Sequence, residues 1–246
     1  MMNSLTILWF DHRLRSAGYG SCDLVANLSY QSGDGVAFYG VPNLDRLVDR
    51  LLVGKQRDAA IKALDKGFDL VIEKTNLHLT ANHENTMTVA PDWWAADGLS
   101  NEEAQAAALL VEKVYEDCRR LARSLAVEGY AILEGTPQEE TPIRTYKTDR
   151  YTVRLAKLGD RFFSTESWND ENAVEFCDRV IRGQAEYFGV RVTITSSTQE
   201  DVVSDVSEWG LTDTLIDPSP DCHGYLRDLV RSAVHQYRHR LGLEAA

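Results

Sequence analysis

The segment NLHLTANHEN gathers His78, Thr80, His83 and Glu84 into one short stretch. On a strand, residues two apart share a face, so the H-x-T at 78–80 sets an imidazole beside a hydroxyl. Such a pair can move a proton at a phosphoester or another hydrolysable bond, with the imidazole as general acid or base. His83 and Glu84 add metal-ligating types, and Asp11 with His12, or Asp221 with Cys222 and His223, would be their distant partners. Neither distant group has a strict ligand spacing, so the sequence predicts no metal and no cofactor. A strand-end histidine with solvated neighbours accounts for His78 without any ligand. Cys222 and His223 are sequential, and on an extended segment neighbouring side chains point apart, which opposes a nucleophile–base pair.

The H-x-T element resembles one half of the paired H-x-[ST] site of the 2H phosphoesterases. That resemblance implies a phosphoesterase or hydrolase centred on His78, Thr80, His83 and Glu84, provided a second H-x-[ST] supplies the complementary group. The remaining histidines, His12, His223, His235 and His239, have no Ser or Thr two places on. Half of the site is therefore missing. No phosphate-binding G-x-x-x-x-G-K-[ST], dinucleotide G-x-G-x-x-G, H-E-x-x-H, EF-hand loop or G-x-S-x-G occurs either. These spacings are strict, so their absence argues against several large enzyme classes.

Charge is the stronger signal. Glu200, Asp201, Asp205, Glu208, Asp213, Asp217 and Asp221 fall in one segment that holds no Lys or Arg. The whole chain carries 38 acidic against 26 basic residues, a formal charge of -12. A concentrated negative field repels nucleic acid and anionic membranes and attracts cationic surfaces. The sequence thus predicts a non-enzymatic acidic binding protein. Its partner would be a protein with a cationic nucleic-acid-binding surface, and direct nucleic-acid or membrane binding is not expected. Duplex DNA offers about one charge per 1.7 Å of axis, so exposed carboxylates on strands and helix faces could imitate it. A hydrolase around His78 and His83, and a structural or oligomerisation module, are the alternatives.

The helix predicted at the C-terminal end aligns Arg227, Arg231, His235 and Arg238 in a basic stripe, opposite Leu226, Leu229, Val230, Ala233, Val234 and Tyr237. The helix dipole and the acidic loop upstream account for that stripe without a ligand. Trp93, Trp94, Trp168 and Trp209 sit among acidic neighbours, so core or interface packing is expected of them rather than base stacking, which needs a basic groove. No run approaches the roughly 18–20 apolar residues of a membrane span. The opening MMNSLTILWFDHRLR puts its charges after a short apolar run, unlike a secretory signal. With Cys22, Cys118, Cys177 and Cys222 scattered and no C-x-x-C, a cytoplasmic location with reduced thiols is expected.

The elements that must carry these groups read as α+β, with mainly antiparallel sheet, a long central helix and a C-terminal helix. SLTILWF, DLVANLSY and GVAFYG read as a three-stranded meander. PNLDRLVDRLLV and KQRDAAIKALDKG read as helices, FDLVIEKTNLHLT as extended, and 81–99 as mostly loop. Ser100 and Glu103 form a capping box that opens a helix to about Val127, stopped by Gly129 before a short strand YAILEG. GTPQEETP is the linker candidate, dividing 1–135 from 143–246 at 136–142. Beyond it come strands in RTYKTDRYTVRLAKL, a helix in NDENAVEFCDRVIRG, and the strand EYFGVRVTITSS with Phe188, Val190, Val192 and Ile194 on one face.

Residues 143–240 resemble uncharacterised proteins of bacteriophages and related mobile elements. Those pair a T-x-x-Y/F-T-V-R strand, here TDRYTVR, with a later aromatic–apolar strand and a closing helix. The resemblance transfers no active site. It implies a phage accessory role, such as an anti-defence or anti-CRISPR inhibitor acting in the bacterial host cytoplasm.

Overall fold

The computed structural model describes residues 3–20, 22–28, 35–74, 87–92, 98–166, 168–197, 202–212 and 223–240. The chain forms two compact units, Thr6–Tyr130 and Asn3–Leu5 with Ala131–Ala246. The architecture is α+β with antiparallel sheets, as the sequence predicts.

The first unit opens on helix α1 (Ser4–Ser16), where the sequence predicts a strand. Thr, Ile, Trp and Phe give SLTILWF a β-like composition, but spacing decides the outcome. Leu5, Trp9, Phe10 and Leu14 recur at helical intervals and all are buried. The expected meander is therefore a hairpin, β1 (Asp23–Asn27) with β2 (Gly35–Tyr39). Helix α2 (Leu44–Leu51) is capped by the Asn43 side chain, which accepts from the Arg46 N–H, and buries Leu47 and Val48. Helix α3 (Gly54–Asp65) follows and buries Ala60 and Ala63. Strand β3 (Asp69–Lys74) pairs antiparallel with β4 (Met87–Asp92), a strand inside the stretch expected to be loop. Gly40 and Ile72 exchange backbone hydrogen bonds of 2.8 and 2.9 Å, which joins the two hairpins.

Helix α4 (Asn101–Glu134) starts on the predicted capping box. The Ser100 N–H donates to Glu103 at 2.7 Å, and the Glu103 N–H to Ser100 Oγ at 3.3 Å. Lys66 also donates to Glu103, at 2.6 Å. This bond first, and the Ser100 N–H second, lower the Glu103 carboxyl from 4.5 to about 2. The helix does not stop at Gly129, and YAILEG is its last turns rather than a strand. Gly129 is there for packing. A Cβ at this position would overlap Leu28 Cδ1 and lie 2.6 Å from Phe10 Cζ.

One polar cluster is built into this core. Tyr19, fully buried, donates its hydroxyl to Asp117 Oδ2 at 2.6 Å, and Asp117 is itself 5% exposed. Arg50 grips both carboxylate oxygens, and Arg120 adds a further hydrogen bond. Burial pushes the Asp117 carboxyl up, but hydrogen bonds from Arg50 and Tyr19 outweigh it and hold the group below its ordinary range. Burial, with the Asp117 bond, drives the Tyr19 phenol upward.

The second unit is a four-stranded antiparallel sheet, β5 (Thr141–Lys147), β6 (Tyr151–Leu158), β7 (Tyr187–Ser196) and β8 (Val202–Thr212), in that spatial order. Helix α5 (Asp170–Ile181) lies between β6 and β7 in the chain, and helix α6 (His223–Arg240) closes the unit. The acidic stretch expected to be a loop upstream of α6 supplies β8 at 202–212. Phe188, Val190, Val192 and Ile194 share one face of β7, as predicted, and each is fully buried. Leu229 and Ala233 of α6 pack onto that face, with Leu226, Val230, Val234 and Tyr237 around them. Tyr187 Oη accepts from Asn3 Nδ2 at 2.7 Å and donates to the Ile132 carbonyl at 2.9 Å, tying the start of the chain to this unit.

Candidate functional site

Of the seven carboxylates singled out in the sequence, Asp205 and Glu208 lie on β8. Glu200, Asp201, Asp213, Asp217 and Asp221 lie outside the described residues, as do His78, Thr80, His83 and Glu84, Trp93 with Trp94, and Cys222. Asp205 ends an alternating row of charges across the sheet. Arg154 pairs with Glu140 at 3.1 Å, Glu140 with Arg191 at 3.5 Å, and Arg191 with Asp205 at 3.6 Å. Guanidinium and carboxylate balance there. Glu208 is exposed and has no ion-pair partner among the described residues.

The register of β8 explains how its other groups are presented. Val190 faces Glu208 and Phe188 faces Leu211, so Trp209 and Gly210 together stand opposite the single residue Gly189. That is a β-bulge, and Gly210 adopts the φ of +76° that such an insertion favours in glycine. A bulge frees a backbone N–H from the ladder. Here the Gly210 N–H donates to Asp160 Oδ2 at 2.8 Å. The other Asp160 oxygen accepts from the Phe162 N–H at 3.1 Å, and the Asp160 N–H donates to Thr136 Oγ1 at 2.8 Å. Asp160 is 3% exposed, so a buried carboxylate clamps the bulge to the 159–162 turn.

The clamp leaves two aromatic rings on the surface. Phe162 is 85% exposed and Trp209 51%. They border a cleft of about 570 Å³ lined by Gly159, Asp160, Arg161, Phe162, Ser164, Trp209 and Gly210. The Trp209 ring rests on the backbone of Gly189, where a Cβ would overlap Cε3 and come within 2.6 Å of Cζ3. Trp168, by contrast, is a packing residue, edge-on to Phe163 at 5.7 Å and to Phe176 at 5.1 Å.

Two of the polar side chains in the cleft are engaged by nearby backbone. Both Asp160 oxygens are used by backbone N–H groups, and Ser164 Oγ accepts from the Glu166 N–H at 3.3 Å. The exposed indole offers a π-face for an aliphatic stem or a cation. Among the described residues, no three His, Cys, Asp or Glu side chains converge as a metal site. Cys118 and Cys177 are buried, and burial raises both thiols to about 12. On α6, Arg227, Arg231 and Arg238 are exposed, and Arg231 pairs with Asp228 of the same helix at 3.0 Å. Among the described residues, no helix is long and apolar enough to cross a membrane.

Sequence reasoning expected core or interface packing of Trp209, which the structure exposes, and passed over Asp160 and Phe162. The available signal was the Trp209–Gly210 pair inside a strand pattern, since glycine within a strand marks a bulge. No family model, curated protein or solved structure matches the chain.

Proposed function

We propose that this protein acts by binding, with the Phe162–Trp209 cleft and the exposed Glu208 of β8 docking onto a cationic surface of a protein partner. The observation that carries the reading is the pair of exposed rings held out by a buried carboxylate. An exposed indole fixed on the surface, with Glu208 exposed on the same strand, has the make-up of an interface anchor. A partner Arg or Lys over the ring would gain the π-face. The chain-wide charge of -12 would draw such a surface in and repel nucleic acid.

In its specific form, the partner is a nucleic-acid-binding or defence complex of a bacterial host, and this chain competes for its nucleic-acid site. The excess of acid over base and the resemblance of residues 143–240 to phage proteins support that form. The test is capture from nuclease-treated bacterial lysate at about 50 and about 200 mM salt. Wild type is expected to retain a nucleic-acid-binding complex at low salt, to lose it at high salt, and to be displaced by added duplex DNA. Trp209→Ala and Glu208→Lys are expected to weaken retention while the circular dichroism spectrum stays unchanged. Equal retention by wild type and both variants, unaffected by DNA, would refute the proposal.

A further inference from the structure

The first unit holds a concavity of opposite electrostatic character to the acidic strand. It has a volume of about 360 Å³ and lies where the C-terminal end of α1, α2 and the middle of α4 meet. Arg13, Arg50 and Arg120 line it, with Asp117 and the hydroxyl-bearing Ser16 and Ser124. We propose that this pocket binds a small phosphate-bearing anion.

The geometry supports this in three ways. First, the guanidiniums are fixed before any ligand arrives. Asp117, held by Tyr19, grips Arg50 with both oxygens and also takes Arg120. Glu128 takes Arg13 at 3.0 Å and also accepts from Ser124 Oγ at 2.7 Å. A fork already ordered loses little entropy on gripping an oxyanion. Second, the carboxylates do not exhaust the positive charge or the donors. Three guanidiniums face Asp117 and Glu128, which leaves one positive charge in surplus. Each guanidinium also keeps N–H groups that these pairs do not use. Arg13 Nε is buried and has no hydrogen-bond partner among the described residues. Third, the volume sits near the lower end of the range for small-molecule sites, about 300–1,000 Å³. That suits a phosphate or phosphomonoester. The chain's net charge of -12 opposes a polyanion such as duplex DNA.

A purely structural role would have the arginines neutralise Asp117 and Glu128 and nothing more. The two roles separate in an NMR titration that follows arginine Nε–Hε resonances. Inorganic phosphate is added to the full chain, with sodium chloride at matched ionic strength as the comparison. Phosphate is expected to shift the Arg13 and Arg120 signals saturably, and chloride is not. Arg120→Gln should weaken phosphate binding by about tenfold, the loss of one charge-assisted hydrogen bond. Its side chain is 75% exposed and Arg50 still holds both Asp117 oxygens, so the variant should fold, which its circular dichroism spectrum checks. Arg57→Gln, outside the pocket, should bind as wild type does. A nucleoside monophosphate tested in parallel identifies the source. Tighter binding than phosphate assigns the site to phosphomonoesters, and equal or weaker binding assigns it to free phosphate. Identical shifts with chloride, or undiminished binding by Arg120→Gln, would overturn the proposal. None of these results bears on the second unit's cleft, so the two readings stand or fall separately.

Discussion

Replacing Gly129 by alanine sets two effects against each other. Helix propensity alone favours alanine over glycine in a helix interior by about 1 kcal/mol. The position is buried in the middle of the last third of α4, and the new methyl would overlap Leu28 and lie 2.6 Å from Phe10 Cζ and 3.2 Å from its Cε1. Both neighbours are themselves buried, Phe10 completely and Leu28 at 6%, so neither has open space to move into. Overpacking of this kind costs about 1–3 kcal/mol, and two simultaneous overlaps place it at the upper end. The expected net result is a loss of about 1–2 kcal/mol, or roughly 3–6 °C in melting temperature for a chain of this size. Urea unfolding of wild type, Gly129→Ala, Leu28→Ala and the double variant measures it. Leu28→Ala removes one overlap, so the cycle should show a favourable coupling of about 1 kcal/mol. A Gly129→Ala variant more stable than wild type would mean that propensity governs the site, and the packing argument would be wrong.

Asp160→Ala removes the acceptor for two backbone N–H groups and should cost about 2–4 kcal/mol. It should also change Trp209 emission as the bulge loosens, so an unaltered spectrum and urea midpoint would contradict the clamp. For Glu103 the sign follows from its lowered value. The capping contribution is complete above pH 4.5 and is lost as pH falls towards about 2. A carboxyl titration followed by NMR should therefore give a midpoint near 2, and a value of 4 or higher would remove Lys66 and the Ser100 N–H as its cause.

Local chemistry carried by adjacent residues was legible in the sequence. The Ser100–Glu103 box and the alternation of β7 both depend on spacings a few residues long. The failures share one origin: composition competing with tertiary packing. SLTILWF has β-prone residues, yet its buried side chains fall on one helical stripe. Gly129 looks like a stop signal, because nothing near it in sequence announces Phe10 and Leu28. β4 hides behind Pro91, which stands opposite Leu70 in its hairpin. Long-range partners decided the candidate sites as well. Asp160 sits 50 residues from the Gly210 N–H it accepts, and Asp117 lies 67 residues from Arg50 and 98 from Tyr19.

Gly189 is buried, yet it governs the surface above it. Because β7 lacks a side chain there, the indole of the next strand can lie flat, and its height above the sheet is set by one missing methyl. A single added carbon would tilt the ring outward while every charge on β8 kept its place. How the exposed ring of β8 is seated thus depends on a residue of the neighbouring strand.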